Sequence, residues 1–589
     1  MSWLERIPRT VSGLVVSLLC LVVASSASAS VKIGSNASLP FQFYVDANAN
    51  TYTAVNMTAL NGASGLYLTK LNSAGKSSFS ARLGYNVSAN PFYCTVDSSG
   101  NSIVVSSMTA LNGLSGLYLT KVNSTGSIVF TVRMGTNPSA GPFSCTVDAA
   151  GNTTVIASFT NLSGYSGLFV NRYTKTGGAT FSTRMGTSPA TYPFSNIIDG
   201  AGNVYVIGNY TSLSGRSGLY LVKLNSVGAP LFTDLLGFNP AANPFGFAVD
   251  GSSNSIMFSN MTSGSGVTGM YVVKLNSKFA GVYVDRIGIN PASIPYGASI
   301  DTSGNVYLVA NMSTLSGVFG LFMTKINPNG VVVYSGRLGY NPLPSPFAQT
   351  IDASQNLFTV ANMTSLNGTS GLYFSKINST GSIIYNDLIG YSPASAPFDA
   401  RLDASGNAYT IANMTNSSGA SGLFVTKLKS SGTVAFSDRL GYSVTSAPFA
   451  STVDLGLNTY VTSNLTSANN TTGLTFTKIN STGGITYNVR LGTNPQSGPF
   501  ANYLDTSGST FNLACMTSLT GNTGLFANRL SATGTTIYSQ RLGTNPGTTT
   551  YAYYIDATGN AYVAGNMTSL TGNLGFYVSK LNASGVAVF

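Results

Sequence analysis

Apolar and polar residues alternate along short stretches of this chain, and the stretches recur at a fixed spacing. Residues 244–250 are one such stretch, and the next copy contains residues 305–312, 321–327 and 331–339. Turns rich in Gly, Asn, Asp and Pro separate the stretches. A period of two with many β-branched and aromatic residues predicts four short strands in each copy. No stretch of residues 30–589 has the period of an amphipathic helix.

An aspartate recurs every 51 residues, as at Asp46 and Asp97, and it marks eleven copies without an insertion or deletion. The full set is Asp46, Asp97, Asp148, Asp199, Asp250, Asp301, Asp352, Asp403, Asp454, Asp505 and Asp556. A glycine keeps the same spacing from Gly65 to Gly575, and so does a basic residue. The basic residues are Lys70, Lys121, Arg172, Lys223, Lys274, Lys325, Lys376, Lys427, Lys478, Arg529 and Lys580. Self-similarity at a fixed period indicates a repeat architecture.

Four antiparallel strands in a repeat of this length are typical of a β-propeller blade. We therefore predict an all-β protein, a β-propeller of eleven four-stranded antiparallel blades. Residues 585–589 (GVAVF) resemble the first half of a fourth strand, and residues 30–34 (SVKIG) resemble the second half. Residues 30–589 number 560, one fewer than eleven repeats of 51 would need. We expect the two ends to complete the last blade together, and two smaller propellers are the alternative.

The N-terminal 29 residues have the features of a secretory signal peptide. Arg6 and Arg9 precede an apolar run at residues 13–24, and an Ala-Ser-Ala cleavage site follows. The run is shorter than the roughly 20 residues that span a bilayer, and an uncleaved anchor is the alternative. No later stretch is long enough to be a transmembrane segment. We predict a secreted or cell-surface protein whose propeller domain occupies residues 30–589.

Composition excludes several functional classes. Only 8% of the residues are charged, His is absent, and the single Glu and single Trp are Glu5 and Trp3. The propeller domain therefore cannot use His-centred triads, His-ligated zinc or Glu acid/base pairs, and no cofactor is expected. Its cysteines, Cys94, Cys145 and Cys515, are odd in number and are expected to be buried thiols. The net charge is +11, but the basic residues are spread over the repeats, which disfavours nucleic acid as a partner.

The repeats resemble the bacterial-type, seven-bladed β-propeller repeat family called SBBP. That family's pattern of VD..GN.YV.G, F..KL...G and Y...LGG is similar to residues 555–568 (IDATGNAYVAGNMT), 575–585 (GFYVSKLNASG) and 538–543 (YSQRLG). The resemblance extends over nearly all of residues 31–589 and implies a propeller in an extracellular or surface protein. This chain departs from the pattern because Tyr, Thr or another residue replaces the second Gly of LGG, and because its blade number differs.

Each repeating aspartate is followed by a turn that usually contains Gly and Asn. A carboxylate at this position can accept backbone N–H groups of its own turn, and Gly can adopt the positive φ that such turns need. We interpret the eleven aspartates as structural. Calcium binding is the alternative at Asp46, Asn48 and Asn50, which alternate like the oxygen ligands of a calcium loop but lack its Gly and its closing acid.

A second basic position precedes Leu-Gly or a similar pair in the fourth strand. Its members are Lys32, Arg82, Arg133, Arg184, Arg286, Arg337, Arg439, Arg490 and Arg541, and Leu235 and Leu388 replace it in two repeats. We interpret this position as a solvated strand end or as a cap on loop carbonyls. The alternative is a basic annulus that attracts an anionic polymer, which makes the arginines candidate ligand-binding residues. Asp399 and Arg401 form the only charged pair on a first strand. We interpret them as an internal salt bridge, and a ligand-binding site at these two residues is the alternative.

Asn-x-Ser/Thr sequons recur where the second strand meets its loop. Candidate glycosylation sites are Asn56, Asn209, Asn260, Asn311, Asn362, Asn413, Asn464 and Asn566. The alternative is that Asn and Thr suit this bend and generate the sequons by chance.

Eleven near-identical repeats favour binding over catalysis, because an active site usually breaks such regularity at one place. We predict an exported, non-enzymatic protein that acts as a multivalent binding or structural scaffold at a cell, matrix or virion surface. Its expected partner is a polysaccharide or a surface glycoprotein, with avidity replacing single-site affinity. A polysaccharide-degrading enzyme that uses Asp carboxylates is one alternative, and a purely structural coat is another.

Overall fold

The computed structural model describes residues 30–589, apart from residues 91, 140–142, 193, 243–244, 250–251, 253, 279, 293–295, 346, 397, 404 and 468. The predicted signal peptide and Asp250 lie outside the described residues. The described chain is all-β and contains 43 strands. None of its residues belongs to a helix that could cross a membrane. We number the repeats 1 to 11 by their aspartates, from Asp46 to Asp556.

Each repeat contributes four strands. The first strands are the second half of Ser30–Val45, then Phe92–Val96, Phe143–Val147, Phe194–Ile198, Phe245–Val249, Tyr296–Ile300, Phe347–Ile351, Phe398–Leu402, Phe449–Val453, Phe500–Leu504 and Tyr551–Ile555. The second strands are Thr51–Ala59, Ser102–Ala110, Thr153–Asn161, Val204–Ser212, Ser255–Thr262, Val306–Ser313, Leu357–Ser365, Ala408–Thr415, Thr459–Ser467, Thr510–Ser518 and Ala561–Thr568. The third strands are Ser64–Leu71, Ser115–Val122, Ser166–Tyr173, Ser217–Leu224, Thr268–Leu275, Phe319–Ile326, Ser370–Ile377, Ser421–Leu428, Thr472–Ile479, Thr523–Leu530 and Leu574–Leu581. The fourth strands are Ser77–Tyr85, Ile128–Thr136, Ala179–Thr187, Pro230–Gly237, Gly281–Gly288, Val332–Tyr340, Ile383–Gly390, Val434–Tyr442, Ile485–Thr493 and Thr536–Gly543.

The four strands of a repeat pair in sequence order as an antiparallel meander. In repeat 7, Phe347 lies opposite Ala361 on the second strand, and Leu357 at the other end of that strand lies opposite Ile377 on the third. The second and third strands are buried on both faces, whereas the first strand is half-buried. The predicted strand at residues 305–312 is observed as Val306–Ser313, so the sequence pattern located the strands to within one or two residues.

The apolar core lies between neighbouring repeats. One cluster joins Tyr307 and Met323 of repeat 6 to Leu357 and Tyr373 of repeat 7. Because side chains alternate across a strand, each sheet buries one face against the preceding repeat and the other against the following repeat. Full burial of such a side chain stabilises the fold by about 1.5–3 kcal/mol. A repeat of this kind therefore depends on its neighbours for stability.

The end of each fourth strand leaves its own repeat and pairs with the second strand of the next. At the first junction Gly84 lies opposite Ala110 and Tyr85 lies opposite Thr109. A β-bulge just before this point breaks the register with the third strand and bends the fourth strand outward. The sequence pattern placed this stretch at the start of a connecting loop, and the structure shows that it is a hydrogen-bonded junction.

The strand Ser30–Val45 connects the first and last repeats. Its residues 30–34 pair with the third strand of repeat 11, where Gly34 lies opposite Phe576. Gly34 also lies opposite Ala59 on the second strand of repeat 1. This is the junction pairing that joins the other repeats. Residues 30–34 thus occupy the place of a fourth strand in repeat 11, and the chain continues as the first strand of repeat 1.

A basic side chain on the third strand ties each repeat to the next. The ammonium group of Lys325 donates to Gln355 Oε1 at 3.0 Å and to the carbonyl oxygen of Ser379 at 3.4 Å, and both acceptors belong to repeat 7. Equivalent bonds to a carbonyl of the next repeat join Lys70–Ser124, Lys274–Pro328, Lys376–Ser430, Lys427–Ser481, Lys478–Ala532, Arg529–Ala583 and Lys580–Ser73. The last of these bonds runs from repeat 11 to repeat 1.

We expect Lys325→Met to lower the free energy of unfolding by about 1–3 kcal/mol, because it leaves two covered acceptors of repeat 7 without their charged donor. The substitution keeps most of the apolar stem, so packing changes little. Urea unfolding followed by circular dichroism measures the effect. Lys278→Met is the control, since the Lys278 side chain is exposed. Equal effects of the two substitutions would contradict the role of Lys325 in linking repeat 6 to repeat 7.

Candidate functional site: clefts between neighbouring aspartate turns

The repeating aspartates organise the turn between the first and second strands. Asp97 Oδ1 accepts the N–H groups of Ser99 at 3.0 Å and Asn101 at 2.8 Å, and Oδ2 accepts the side-chain amide of Asn101 at 2.9 Å. Gly100 has φ of 74°, which the turn requires. The carboxylate accepts the N–H group four residues later in the same way at Asp46, Asp148, Asp199, Asp301, Asp352, Asp403, Asp454, Asp505 and Asp556.

The candidate calcium loop of repeat 1 has the same turn as the other repeats. Asp46 Oδ1 accepts the N–H groups of Asn48 and Asn50, each at 2.9 Å. Asn50 presents its amide nitrogen, and not its oxygen, to Asp46 Oδ2 at 2.8 Å. The side-chain oxygens therefore do not converge on one point, and the geometry favours the structural interpretation of this motif.

Hydrogen bonding controls the ionisation of the turn aspartates. Partial burial opposes ionisation of Asp97, but hydrogen bonds from Asn101 and the nearby ammonium group of Lys121 outweigh it and hold the pKa below its ordinary value. The pKa is lowered in the same way at Asp148, Asp199, Asp301, Asp454 and Asp556. These groups are therefore stable carboxylates at neutral pH, which suits a structural role.

A second set of aspartates lies on the fourth strands and behaves in the opposite way. Burial raises the pKa of Asp234, Asp285, Asp387 and Asp438. Among the described residues, Asp285 Oδ2 has no hydrogen-bond partner, and it faces Gly330 of the next repeat beside the Tyr283 ring. Ionisation at this position therefore opposes folding.

Asp285→Asn and Asp97→Asn are expected to change stability with opposite signs. Because the folded-state pKa of Asp285 is raised, its ionisation destabilises the fold above that pKa, and this cost vanishes below the unfolded-state pKa of about 3.9. Asp285→Asn should raise the melting temperature at pH 7 and leave it unchanged at pH 3. Asp97→Asn should lower stability at pH 7 by about 1–3 kcal/mol and by less at pH 3. Thermal melts at the two pH values test both, and equal signs would refute the assignment.

Some basic residues of the third strand contact the turn aspartates directly. The ion pairs are Lys121–Asp97 at 3.3 Å, Arg172–Asp148 at 2.7 Å and Arg529–Asp505 at 2.9 Å. Other members stack on an aromatic ring of the second strand, as Lys70 does at 4.9 Å from the centroid of Tyr52. These basic side chains thus contact a turn aspartate or an aromatic ring of the same repeat.

Polar clefts lie between the aspartate turns of neighbouring repeats. The cleft between repeats 2 and 3 has a volume of about 440 Å³ and is lined by Asp97, Lys121 and Asp148, with Lys175 at its edge. Equivalent positions line a cleft of about 550 Å³ between repeats 5 and 6 and one of about 690 Å³ between repeats 6 and 7. The same polar cavity thus recurs at three junctions, and each opens toward the same side of its repeat.

The arginines before Leu-Gly bind main-chain carbonyls at the start of the third strand. Arg133 Nε donates to the carbonyl oxygen of Ser115 at 3.0 Å. The other pairs are Arg82–Ser64, Arg184–Ser166, Arg286–Thr268 and Arg541–Thr523. Arg337 and Arg439 lie over the rings of Tyr340 and Tyr442, and Arg490 is in register with Thr475. This geometry matches carbonyl capping more closely than it matches an exposed anion-binding surface.

The charged pair on the first strand of repeat 8 is an internal salt bridge. Arg401 Nε lies 3.0 Å from Asp399 Oδ2, and Arg401 Nη2 donates to the carbonyl oxygen of Ser451 in repeat 9 at 3.0 Å. The Ser451 hydroxyl also donates to Asp399 Oδ2. Arg401 still borders a cleft of about 320 Å³ that contains Phe358 and Phe374. Its guanidinium is committed to protein partners, which leaves it little capacity for a ligand.

The sequon asparagines lie on the second strands beneath the connecting loops. Asn311 and Asn362 are buried, and Asn56, Asn209, Asn260, Asn413, Asn464 and Asn566 are half-buried. The amide nitrogen of Asn56 donates to the Ser38 hydroxyl at 3.2 Å. A glycan on these amides would have to fit beneath the connecting loops of the folded chain, so this position disfavours modification, most clearly at the buried Asn311 and Asn362.

Sequence reasoning missed two features of these sites. It did not indicate that most hydrogen bonds of the third-strand basic residues cross to the next repeat. It also missed the clefts, because their walls come from turns 51 residues apart. The regular spacing of Asp, Lys and Gly was the only available signal, and it did not indicate an open cavity.

No family model matches the chain, and no curated protein matches it in sequence. The resemblance to the SBBP repeat therefore stays a prediction. Among solved structures, a eukaryotic initiation factor is similar with a TM-score of 0.36 and 8% identity, over 72% of this chain and 93% of the other. The biofilm matrix protein Bap1 of V. cholerae has a TM-score of 0.24 and 12% identity, over 93% of this chain and 88% of the other. An ulvan lyase, a polysaccharide lyase, has a TM-score of 0.25 and 9% identity, over 60% of this chain and 97% of the other. Similarity this low carries no argument about function.

Proposed function

We propose that residues 30–589 form a single closed β-propeller of eleven blades, with residues 30–34 as the last strand of the last blade. The pairing of Gly34 with Phe576 and Ala59 and the hydrogen bond from Lys580 to Ser73 support this proposal. They repeat the contacts found at the other junctions. Two smaller propellers would instead need a junction where these contacts are interrupted.

The ring is proposed to act, without enzymatic activity, as an exported multivalent binding scaffold for a polysaccharide at a cell, matrix or virion surface. The observation that carries this proposal is the equivalent polar cleft at three junctions. A polymer with a repeating unit can occupy several such clefts at once. Linked contacts of this kind raise affinity by about 10²–10⁴-fold over a single site when the spacing matches.

The cleft between repeats 2 and 3 suits a carbohydrate because its walls offer hydroxyl, amide and main-chain groups with balanced charge. Asp97 and Lys121 in the same wall compensate each other, and exposed Ser98 and Ser99 add hydroxyl groups. Sugars are recognised by several such hydrogen bonds made together. A highly charged polymer would find no matching excess of charge here.

Catalysis is the less favourable interpretation. A polysaccharide hydrolase needs a carboxylic acid with a raised pKa close to a second carboxylate. The turn aspartates in the clefts are hydrogen-bonded carboxylates, and six of them have lowered pKa values. The aspartates with raised pKa values lie on fourth strands, and Asp285 is directed at the next repeat and not at a cleft.

The test compares polymers with their oligosaccharides at low and physiological salt. Glutamate substitutions obstruct the clefts at the exposed and equivalent positions Ala149, Thr302 and Ala353, of which Thr302 lines two clefts. The matched control places glutamates at Ser163, Ser316 and Asn367, which are exposed on the loop between the second and third strands. Both sets change the net charge equally.

We expect polymer binding that survives physiological salt, falls stepwise with each blocked cleft and is unchanged in the control variant. Mass spectrometry of the bound polymer should reveal no cleavage products. Shortened products would favour the enzyme alternative. Equal loss of binding in the cleft and control variants, or no binding to any polysaccharide, would overturn the proposal and favour a structural coat.

A further inference from the structure

At one register position of the first strand, three repeats have a tyrosine that the other repeats lack. The fourth residue of that strand is Tyr503 in repeat 10, Tyr554 in repeat 11 and Tyr44 in repeat 1. The other repeats have Thr95, Thr146, Ile197, Ala248, Ser299, Thr350, Arg401 and Thr452 at this position. The three tyrosines are therefore consecutive around the proposed ring, on either side of the point where the first and last repeats join.

The three rings are exposed although they lie on the innermost strands. Tyr44 is 46% exposed, Tyr554 is 42% exposed and Tyr503 is 39% exposed. Each first strand pairs with its own second strand, and Cα atoms of neighbouring first strands approach within 8 Å, as between Phe347–Ile351 and Phe398–Leu402. In a closed propeller these strands line the central channel. The tyrosines would thus form an aromatic surface along one arc of that channel.

A second layer of aromatic rings holds the tyrosines in place. The ring centroid of Tyr44 lies 6.1 Å from that of Tyr52, which is its cross-strand neighbour. Tyr52 is buried, its hydroxyl donates to Asp46 at 3.2 Å, and Lys70 covers its ring. Tyr554 and Tyr562 repeat this arrangement with the same 6.1 Å separation, and Tyr503 lies opposite Phe511. Such bracing reduces the entropy lost when a ligand binds.

Resting on the proposed function, we infer that Tyr44, Tyr503 and Tyr554 form a stacking platform for a neutral polysaccharide chain in the channel. The C–H faces of a pyranose ring pack on an aromatic ring, while a phenolic hydroxyl bonds to sugar hydroxyls. Two positions before each tyrosine lies an uncharged residue, Gln42, Ala501 or Ala552, and two positions after it lies a turn aspartate, Asp46, Asp505 or Asp556. The charged pair Asp399–Arg401 lies in repeat 8, outside this arc. An acidic polymer would gain no counter-charge from the platform.

The test uses cellohexaose, maltohexaose and chitohexaose as neutral probes and heparin as an acidic probe, with isothermal titration calorimetry as the readout. The test variant is Tyr44→Ala, Tyr503→Ala and Tyr554→Ala combined, together with each single change. The matched control is Thr146→Ala and Thr452→Ala combined, at the equivalent positions of repeats 3 and 9, which lie outside this arc and do not line the three polar clefts. Circular dichroism melts check that every variant is folded.

We expect at least one neutral hexasaccharide to bind, and each tyrosine substitution to weaken it about threefold to tenfold. The triple variant should lose about 30-fold or more, because contributions of separate sites add in free energy. The control variant should bind like the unmodified protein. If the triple tyrosine variant binds normally while the cleft variants do not, the platform is refuted and the proposed function stands. If heparin binds and no neutral probe does, the platform is again refuted. If none of the probes binds, both the tyrosine platform and the proposed function are refuted.

Discussion

Ile33→Asp is expected to separate the first and last repeats and to lower the free energy of unfolding by about 3–5 kcal/mol, the usual effect of an unpaired charge in a core. Ile33 is 7% exposed and packs with Met57, Tyr67 and Phe576, which belong to repeats 1 and 11. A carboxylate there has no cationic partner among the described residues of that cluster. Differential scanning calorimetry should show a lower and broader transition.

Leu39→Asp is the control for this substitution. It makes the same chemical change in the same strand, but the Leu39 side chain is 49% exposed. We expect it to change stability by less than about 0.5 kcal/mol. Similar losses in Ile33→Asp and Leu39→Asp would mean that residues 30–34 do not contribute to the core.

A disulfide can test the same junction by covalent means. The Ser30 and Ser579 hydroxyl oxygens lie 2.7 Å apart, and the two residues are directly opposite in the strand pairing. The double substitution Ser30→Cys and Ser579→Cys should therefore form an intramolecular disulfide. Thr69→Cys with Ser80→Cys is the matched control, since this pair holds the equivalent position inside repeat 1. Disulfide formation in the control with only intermolecular disulfides at the test pair would contradict the junction.

Gly371→Val is expected to lower the free energy of unfolding by about 3 kcal/mol or more. A Cβ atom at Gly371 would lie 2.6 Å from the carbonyl oxygen of Gly390 and 2.5 Å from Leu388 Cδ1. The carbonyl belongs to the bulged part of the fourth strand, so main chain would have to move. Urea unfolding measures the loss of stability.

Gly281→Val is the matched control because this glycine also lies in a strand, and no described heavy atom is within 4 Å of its Cβ position. We expect it to be neutral or slightly stabilising, since Val suits a strand better than Gly does. A Gly371→Val variant as stable as Gly281→Val would show that the close approach is not what retains glycine at this position in all eleven repeats.

The sequence was sufficient to predict the all-β class, the four strands of each repeat and the aspartate turns. Short alternating segments separated by Gly, Asn and Asp are compatible with few local structures other than strands and turns. Because the spacing is fixed, every repeat yields the same prediction. The bounds in repeat 6 differ by one or two residues, because strand ends depend on hydrogen bonding and not on the apolar pattern.

Contacts between repeats were harder to predict. The stretch around Tyr85 has the composition of a loop, and it pairs with the next repeat because a bulge redirects the strand. The direction of Lys325 toward repeat 7 depends on the angle between neighbouring sheets, which no local pattern encodes. The three platform tyrosines are present in the sequence, but the sequence alone does not show that they are exposed or that they share one register position of the first strand.

Electron microscopy of single particles, viewed along the ring axis, tests the central claim most directly. The account predicts one closed ring of eleven equal blades around an open channel. It also predicts that the ring has no gap between the blades that contain Asp46 and Asp556. Two smaller rings joined by a linker, or an open arc with a gap at that junction, would contradict it.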